Sequence, residues 1–335
     1  MRTNYVAPRL AWLGLSALLL NGCSSLATDP QPNTQTRGAS SQPTAPVIAL
    51  VLGGGGAKGY AHVGVIKALE ANHITPNLVV GTSVGSFVGS IYASGKSAAE
   101  LESIAVTTAD SELTDFTLSY QGIIEGQKLR SFVNTQVNNK PIQAFPIRFA
   151  AVAAEKHSLK KAVFTDGEAG LVVQASSSVP NVFIAPRIPD PKTSGQIGKK
   201  YIDGGVVSMV PVDAAKALGA DLIIAVDLQA GNTSQTATTP SKSIWSLIEQ
   251  GYSGYRSNSS ASSNNSGPYT QNYEALNNAE IARADVVLRP EVSNISSIIT
   301  VNREQAIAAG VKATEQKLPA IKAAIAKAQA DYYQQ

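Results

Sequence analysis

Cysteine and histidine are scarce in this sequence, and their scarcity excludes several kinds of site. Among 335 residues there are one cysteine, Cys23, and three histidines, His62, His73 and His157. One cysteine allows no disulfide within the chain and no cysteine-based metal cluster. The histidines are far apart in sequence and form no HExxH or similar ligand spacing. We therefore expect neither a metal nor another cofactor.

An excess of charge of either sign is also missing. The chain has 27 basic and 24 acidic residues, and two of the basic ones, Arg2 and Arg9, lie at the extreme N-terminus. No stripe of Lys and Arg is visible, so nucleic acid is not an expected partner. With 44% hydrophobic residues, the chain can form one substantial α/β core or two modest domains.

The N-terminal apolar run, residues 10–20, is shorter than the ~20 residues that span a membrane. It follows two arginines and ends in Leu-Asn-Gly-Cys, which resembles a bacterial lipobox. Residues 1–22 are therefore predicted to be a lipoprotein signal peptide, with lipid (palmitate) attached at Cys23. The alternative is an ordinary signal peptide with a chance cysteine. Ser24 follows the cysteine, and by analogy with enterobacterial lipoproteins this favours the outer membrane of the bacterial cell envelope.

Residues 23–45 are rich in Ser, Thr, Gln and Pro, and they read as a flexible tether between the lipid and a folded domain. A hydrolase domain is expected over residues 46–316 and a C-terminal helix over residues 317–335. Two polar stretches, 229–241 and 257–272, are predicted to be loops. The second is either a mobile lid or a merely solvated loop.

Alternating strand and helix patterns predict the fold of the domain. Residues 47–52 and 77–81 are continuous apolar runs typical of buried strands, and residues 57–71 and 83–93 follow them with helical spacing. This order predicts a parallel sheet with helical crossovers, hence a three-layer α/β/α fold with a mainly parallel central sheet. Further helices are expected at 97–108, 126–137, 169–177, 211–218 and, as one or two helices, 303–333; further strands are expected at 147–154, 222–226 and 285–288.

A glycine-rich loop, residues 53–59, joins the first strand to the first helix. Its amides would lie at a helix N-terminus, where a phosphate or the oxyanion of an acyl-transfer intermediate could bind. Gly54, Gly56 and Gly59 also match GxGxxG, the dinucleotide pattern. That fold requires an acidic residue at the end of the second strand, where this chain has none. A P-loop also fails, because Gly59 follows Lys58 where Ser or Thr is needed.

The second motif is GxSxG, formed by Gly81, Ser83 and Gly85. It lies between a predicted strand and a predicted helix, which is the context of a nucleophile elbow. The glycines leave room for a strained serine backbone. The amide of Val84, at the helix start, could donate to an oxyanion.

A nucleophilic serine needs a base, and histidine is a poor candidate here. In α/β-hydrolases the acid precedes the histidine, yet no histidine follows Asp203. An aspartate can itself take the serine proton when it lies within hydrogen-bonding reach. Asp203, Gly204 and Gly205 offer such a group, although the same three residues also read as a plain turn.

Taken together, the three motifs resemble those of the patatin-like phospholipase family. Its hallmarks are a GGGxxG oxyanion loop, a GxSxG serine and a DGG or DGA aspartate. They appear here at residues 54–59, 81–85 and 203–205, and Lys58 stands where many members have arginine. Residues 61–70, 175–180 and 211–228 are also similar to bacterial members.

The resemblance implies a patatin-like fold and a Ser83–Asp203 dyad that cleaves acyl esters. It implies an oxyanion hole formed by Gly54, Gly55 and Gly56, with Val84. The expected substrate is a membrane phospholipid or another acyl ester. Two alternatives stay open: a general esterase or thioesterase with the same dyad, and a non-catalytic lipoprotein that binds lipid or a partner.

Overall fold

The computed structural model describes residues 45–119, 122–189, 197–229, 273–296 and 300–334. The predicted signal peptide, Cys23, nearly all of the tether and the stretch 257–272 lie outside these residues, so those expectations stay predictions. No helix in the described ranges is long and apolar enough to cross a membrane.

The centre of the fold is a parallel sheet. It is formed, in spatial order, by five strands: β10 (Val286–Leu288), β9 (Leu222–Val226), β1 (Ile48–Leu52), β2 (Leu78–Thr82) and β5 (Arg148–Glu155). All four neighbouring pairs are parallel. The strands are continuous apolar runs because helices cover both faces of a parallel sheet. The predicted three-layer α/β fold with a mainly parallel sheet is therefore confirmed.

One edge of the sheet is antiparallel. Strand β5 pairs antiparallel with both β6 (Lys161–Phe164) and β8 (Lys199–Asp203), and β8 pairs with β7 (Arg187–Ile188). A separate hairpin joins β3 (Phe116–Ser119) to β4 (Gly122–Ile124). The sequence does not predict β3, β4, β6, β7 or β8, because these short strands carry no long apolar run.

Helices connect these strands. They are α1 (Tyr60–Ala71), α2 (Val84–Ala93), α3 (Ala98–Thr107), α4 (Asp110–Leu113), α5 (Gln127–Gln136), α6 (Ala169–Ser176), α7 (Val212–Ala217), α8 (Tyr273–Ile281) and α9 (Arg303–Tyr333). The glycine loop contains a 3₁₀ turn, Gly56–Gly59, so α1 begins later than predicted. The C-terminal region forms one helix that includes Pro319, and the expected boundary after residue 316 falls inside it.

The two faces of the sheet belong to two hydrophobic cores. Alternate residues of β1 point in opposite directions, as the period of a strand requires. Leu50 and Leu52 pack with α1, α2, α3, α5, α6 and α9, whereas Ala49 and Val51 pack with α7 and α8. The carboxyl ends of β1 and β2 therefore emerge between the two helical layers, at the edge where ligands bind in open α/β sheets.

Candidate active site

Ser83 lies in the turn between β2 and α2 and has φ 54° and ψ −126°. A non-glycine residue at positive φ is strained, and such strain is concentrated at functional sites. The motif glycines make the turn possible. A Cβ at Gly81 would lie 2.4 Å from the carbonyl oxygen of Gly85, and one at Gly85 would lie 2.0 Å from that of Leu52. The GxSxG pattern is therefore a steric requirement of this turn.

The backbone of Ser83 is held by a buried serine of α6. The Ser83 amide donates to Ser176 Oγ at 3.0 Å, and Ser176 Oγ donates to the carbonyl of Val152 at 2.6 Å. The side chain of Ser176 is fully buried. Sequence analysis noted the segment 175–180 only for its resemblance, because no pattern marks a serine that supports a neighbouring turn.

The sheet register brings Asp203 to the same edge as Ser83. Thr82 pairs with Val152 on β5, and the next residue of β5, Ala153, pairs with Asp203 on β8. Ser83 follows Thr82 directly. The serine and the aspartate therefore flank β5 at the same level, although Ser83 and Asp203 are far apart in the sequence.

Asp203 is fully buried at the end of β8. Its Oδ1 accepts a hydrogen bond from the amide of Gly205 at 2.7 Å, and its own amide donates to the carbonyl of Ser178 at 2.8 Å. A Cβ added to Gly204 would lie 3.2 Å from Thr82 Cγ2. The DGG turn is therefore packed against the residue that precedes the serine.

The glycine loop differs in one respect from the predicted oxyanion hole. The amide of Gly54 donates to the carbonyl of Met209 at 3.0 Å, so it is not available to an oxyanion in this structure. Gly54 is needed at this position because it has no side chain. A Cβ there would lie 2.7 Å from Met209 Sδ and 3.4 Å from Ser83 Cβ. The close approach of the loop to the serine therefore requires glycine.

The other predicted donors are consistent with an oxyanion site. Within the described residues, the amides of Gly55, Gly56 and Val84 have no hydrogen-bond acceptor. Gly56 has φ 59°, a left-handed conformation that favours glycine. A Cβ on Gly59 would lie 2.1 Å from Val84 Cγ2, so the loop touches the start of α2. Unpaired amides at a helix N-terminus are suited to bind developing negative charge.

His62, on α1, is hydrogen-bonded to the backbone at the start of the glycine loop. Its Nε2 is 2.8 Å from the carbonyl oxygen of Gly53; because a carbonyl only accepts, Nε2 carries the proton and donates. Burial lowers the pKa of His62 to about 4, and the hydrogen bond to Gly53 partly opposes this. His62 is therefore neutral near pH 7 and orients the peptide that joins Gly53 to Gly54.

Lys58 is 4% exposed and lines the cavity beside Ser83. Burial lowers the pKa of its ammonium group, and the nearby carboxylate of Glu291 raises it in part. Lys58 thus contributes a basic side chain to the wall of a mostly apolar cavity. Sequence analysis had predicted its place in the loop but not its burial.

Ser83 opens onto a cavity of about 850 Å³. This volume lies within the range of small-molecule sites, roughly 300–1,000 Å³. Most of the wall is apolar, and α1, α2, α3 and α5 contribute apolar side chains to it, among them Val63, Phe87, Ile91, Ile104 and Leu129. Such a wall suits a hydrocarbon chain. Within the described ranges, no three His, Cys, Asp or Glu side chains are grouped so that they could hold a metal ion.

A serine in a strained strand–helix turn, facing unpaired amides and an apolar cavity, defines an α/β protein of the nucleophile-elbow class. Residues 50–216 match the family model of patatin-like phospholipases. The chain therefore belongs to the patatin-like phospholipase family through this domain, as the resemblance predicted. Membership supports a lipid acyl hydrolase in general.

Sequence relatives match the same family, and one solved structure has a similar fold. The chain is 32% identical over 212 residues to mouse patatin-like phospholipase domain-containing protein 6, covering 61% of this chain and 15% of that protein. It is 34% identical over 197 residues to an uncharacterized NTE family protein of Mycobacterium bovis, covering 58% of this chain and 51% of that one. The fold is similar to that of VipD from Legionella pneumophila, with a TM-score of 0.51 and 16% identity, over 83% of this chain and 67% of that one. The chain spans about half or less of the length of these curated relatives.

Proposed function

We propose that this protein hydrolyses acyl esters of lipids, with Ser83 as the nucleophile and Asp203 as the general base. The observation that carries the proposal is the position of Ser83, strained at the N-terminus of α2 and open to an apolar cavity of about 850 Å³. A strained backbone at a polar side chain, next to space for a hydrocarbon chain, favours catalysis over passive lipid binding.

In the acylation half-reaction, Asp203 takes the proton of Ser83 Oγ while the oxygen attacks the acyl carbonyl carbon. The carbonyl π electrons move to the oxygen, which the amides of Gly55, Gly56 and Val84 stabilise. The tetrahedral intermediate then collapses, and the ester C–O bond breaks. The leaving alcohol takes the proton from Asp203, and the acyl group stays on Ser83.

In the deacylation half-reaction, water attacks the acyl-enzyme and gives its proton to Asp203. The same amides stabilise the second oxyanion. When this intermediate collapses, Ser83 Oγ leaves and recovers the proton, and a free carboxylic acid departs. Each turnover thus consumes one water and restores both residues, so no cofactor is needed.

Phospholipids are the substrate class that we favour. The apolar wall suits the acyl chain, and Lys58 supplies a cation that could meet the phosphate. A general esterase or a thioesterase would use the same serine and amides but would not require Lys58. Comparison of a phospholipid with an uncharged ester of equal chain length therefore separates these alternatives.

We also propose that the mature protein is anchored in the bacterial cell envelope, in the outer membrane, by lipid on Cys23. The motif Leu20-Asn21-Gly22-Cys23 and the polar tether that follows it support this. Cells fed a palmitate analogue should label the wild-type protein and leave Cys23→Ser unlabelled. Equal labelling of both would contradict the anchor.

The test of the hydrolase is fatty-acid release from phosphatidylcholine vesicles by the purified wild-type protein, Ser83→Ala and Ser177→Ala. Ser177 is the matched control because it lines the same cavity and its hydroxyl has no hydrogen-bond partner among the described residues. We expect release by the wild type and by Ser177→Ala, and a loss of at least about 10³-fold in Ser83→Ala. Release by Ser83→Ala at the wild-type rate would refute Ser83 as the nucleophile.

A further inference from the structure

One dipeptide, Ser208–Met209, joins all three motifs of the site. Its two carbonyls accept hydrogen bonds: Ser208 from Thr82 Oγ1 at 3.0 Å, and Met209 from the Gly54 amide at 3.0 Å. The Ser208 amide donates to the carbonyl of Gly204 at 2.8 Å. The dipeptide therefore contacts the residue before the nucleophile, the glycine loop and the DGG turn.

The dipeptide is in turn held by a buried carboxylate from α8. Ser208 Oγ lies 2.8 and 2.9 Å from the two carboxylate oxygens of Glu280, to which it donates. Glu280 is 5% exposed and also accepts from Lys161 Nζ at 3.0 Å and from the Asp213 amide at 3.1 Å. Neither Ser208 nor Glu280 lines the cavity.

We propose that Glu280 is a positioning residue that acts through Ser208 on the geometry of the active site. By fixing the Ser208 hydroxyl, it fixes the two carbonyls that hold Thr82 and Gly54, and so the separation of Ser83 from the glycine loop. Misplacement of a reacting group by about 1 Å can cost 10²-fold in rate. The inference rests on the hydrolase function proposed above.

This placement predicts a larger effect on turnover than on substrate binding, because neither substituted side chain lines the cavity. Ser208→Ala removes the donor, and Glu280→Gln keeps the shape of the acceptor but removes its charge. Each should lower kcat about tenfold at unchanged KM, because Ser208→Ala loses a buried hydrogen bond to a charged group and Glu280→Gln makes that bond to a neutral acceptor. The double variant should lose less than the product of the two single losses, since both substitutions act on the same Ser208–Glu280 contact.

The measurement is kcat for a soluble nitrophenyl ester, expressed per active site titrated with a fluorophosphonate. Titration counts only folded sites with a reactive serine, so a purely structural defect lowers the number of sites and leaves kcat per site unchanged. One control disturbs the same region without touching Ser208 or Glu280. Arg283→Gln breaks the ion pair of Arg283 with Asp213, and both of these side chains are exposed.

Arg283→Gln should keep kcat per site within about twofold of wild type, the scale of an exposed ion pair. Wild-type kcat per site in Ser208→Ala and Glu280→Gln would overturn the inference, as would an equal loss in Arg283→Gln. If Glu280→Gln does not fold, Ser208→Ala alone decides, because it removes only one oxygen. A wild-type protein with neither titratable serine nor turnover would instead refute the hydrolase function.

Discussion

Ser83 has different surroundings on its two sides. Toward the cavity, most of the neighbours are apolar side chains, many of them from α1, α2, α3 and α5. Toward the sheet, the neighbours form a buried polar network of Thr82, Ser176, Asp203, Ser208 and Glu280. Contacts on the first side are non-directional dispersion and hydrophobic contacts, whereas hydrogen bonds on the second side depend on distance and angle.

The difference separates two tasks. The apolar side can change in size without moving Ser83, so it should decide which acyl chains fit. The polar network fixes the backbone around Ser83, so it should decide how fast any bound ester reacts. Substitutions in the cavity should change the ratio of rates between substrates. Substitutions in the network should lower all rates by the same factor.

Asp203→Asn should have the largest effect. The amide still accepts from the Gly205 amide but cannot take the serine proton, so we expect kcat to fall by about 10²–10⁴-fold for esters of every chain length. Steady-state kinetics with nitrophenyl esters will measure it. Asp213→Asn, on α7, is the control and should keep kcat. If kcat of Asp203→Asn fell only for esters of some chain lengths, the polar side of Ser83 would also affect substrate selectivity, and the two sides would not have separate tasks.

His62 should make stability depend on pH. Its pKa is about 4 in the folded protein and is ordinarily 6.5, so between these values the unfolded chain binds a proton that the folded chain does not. Stability is therefore complete above pH 6.5 and falls as pH drops toward 4. From pH 7 to pH 5 this costs roughly 2 kcal/mol of unfolding free energy.

Urea unfolding at the two pH values will measure this slope. His62→Gln can still donate to Gly53 but does not titrate, so its unfolding free energy should lack the contribution of His62 to the decrease between pH 7 and pH 5. His73→Gln, at an exposed position just after α1, should keep it. An unchanged slope in His62→Gln would mean that a charged His62 is accommodated in the fold.

Ser176→Ala tests the support of the nucleophile turn. It leaves the part-buried Ser83 amide without its acceptor and should lower the unfolding free energy by about 1–3 kcal/mol. Activity should fall by the same factor for short and long esters. Ser94→Ala, which removes only a hydroxyl bonded within its own helix, should change neither quantity appreciably. A changed chain-length preference in Ser176→Ala would contradict the view that Ser176 only holds the backbone of Ser83.

Ile91 should affect selectivity, with the smallest change in rate. Phe87 and Ile91 follow Ser83 at four-residue intervals and both line the cavity. At 1.5 Å per residue, Ile91 lies about 12 Å along α2 from the serine. Ile91→Phe should therefore shift the preference toward shorter esters by roughly tenfold in the ratio of kcat/KM.

The control for Ile91→Phe is Val106→Phe, an exposed position on α3 outside the cavity. Its chain-length profile should match the wild type. If Ile91→Phe lowered kcat/KM equally for all chain lengths, the acyl chain would not lie along α2 in this cavity.

The features of the site that can be predicted from the sequence are those that depend on a pattern within a few neighbouring residues. Four glycines after an apolar strand, and GxSxG between strand and helix, each fix a backbone conformation within a few residues. The buried polar network could not be predicted this way. Ser208 and Glu280 are 72 residues apart, and nothing local marks either of them as a partner of the other.

The correction at Gly54 has the same origin. The sequence assigned the amide of Gly54 to the oxyanion hole because it lies in the GGGxxG loop at the start of a helix. Met209, its acceptor, follows the DGG turn, and only the sheet topology brings the two together. The short strands β6 and β7 escaped prediction for a related reason, since their pairing depends on β5 and β8.

Mass spectrometry of the fluorophosphonate-treated protein tests the central claim most directly. The account predicts one adduct, on the peptide that contains Ser83, absent from Ser83→Ala and retained in Ser177→Ala. Asp203→Asn should react much more slowly, because its serine lacks a base. An adduct on any other residue, or full labelling of Ser83→Ala, would contradict the assignment of the nucleophile and with it the two-sided description of the site.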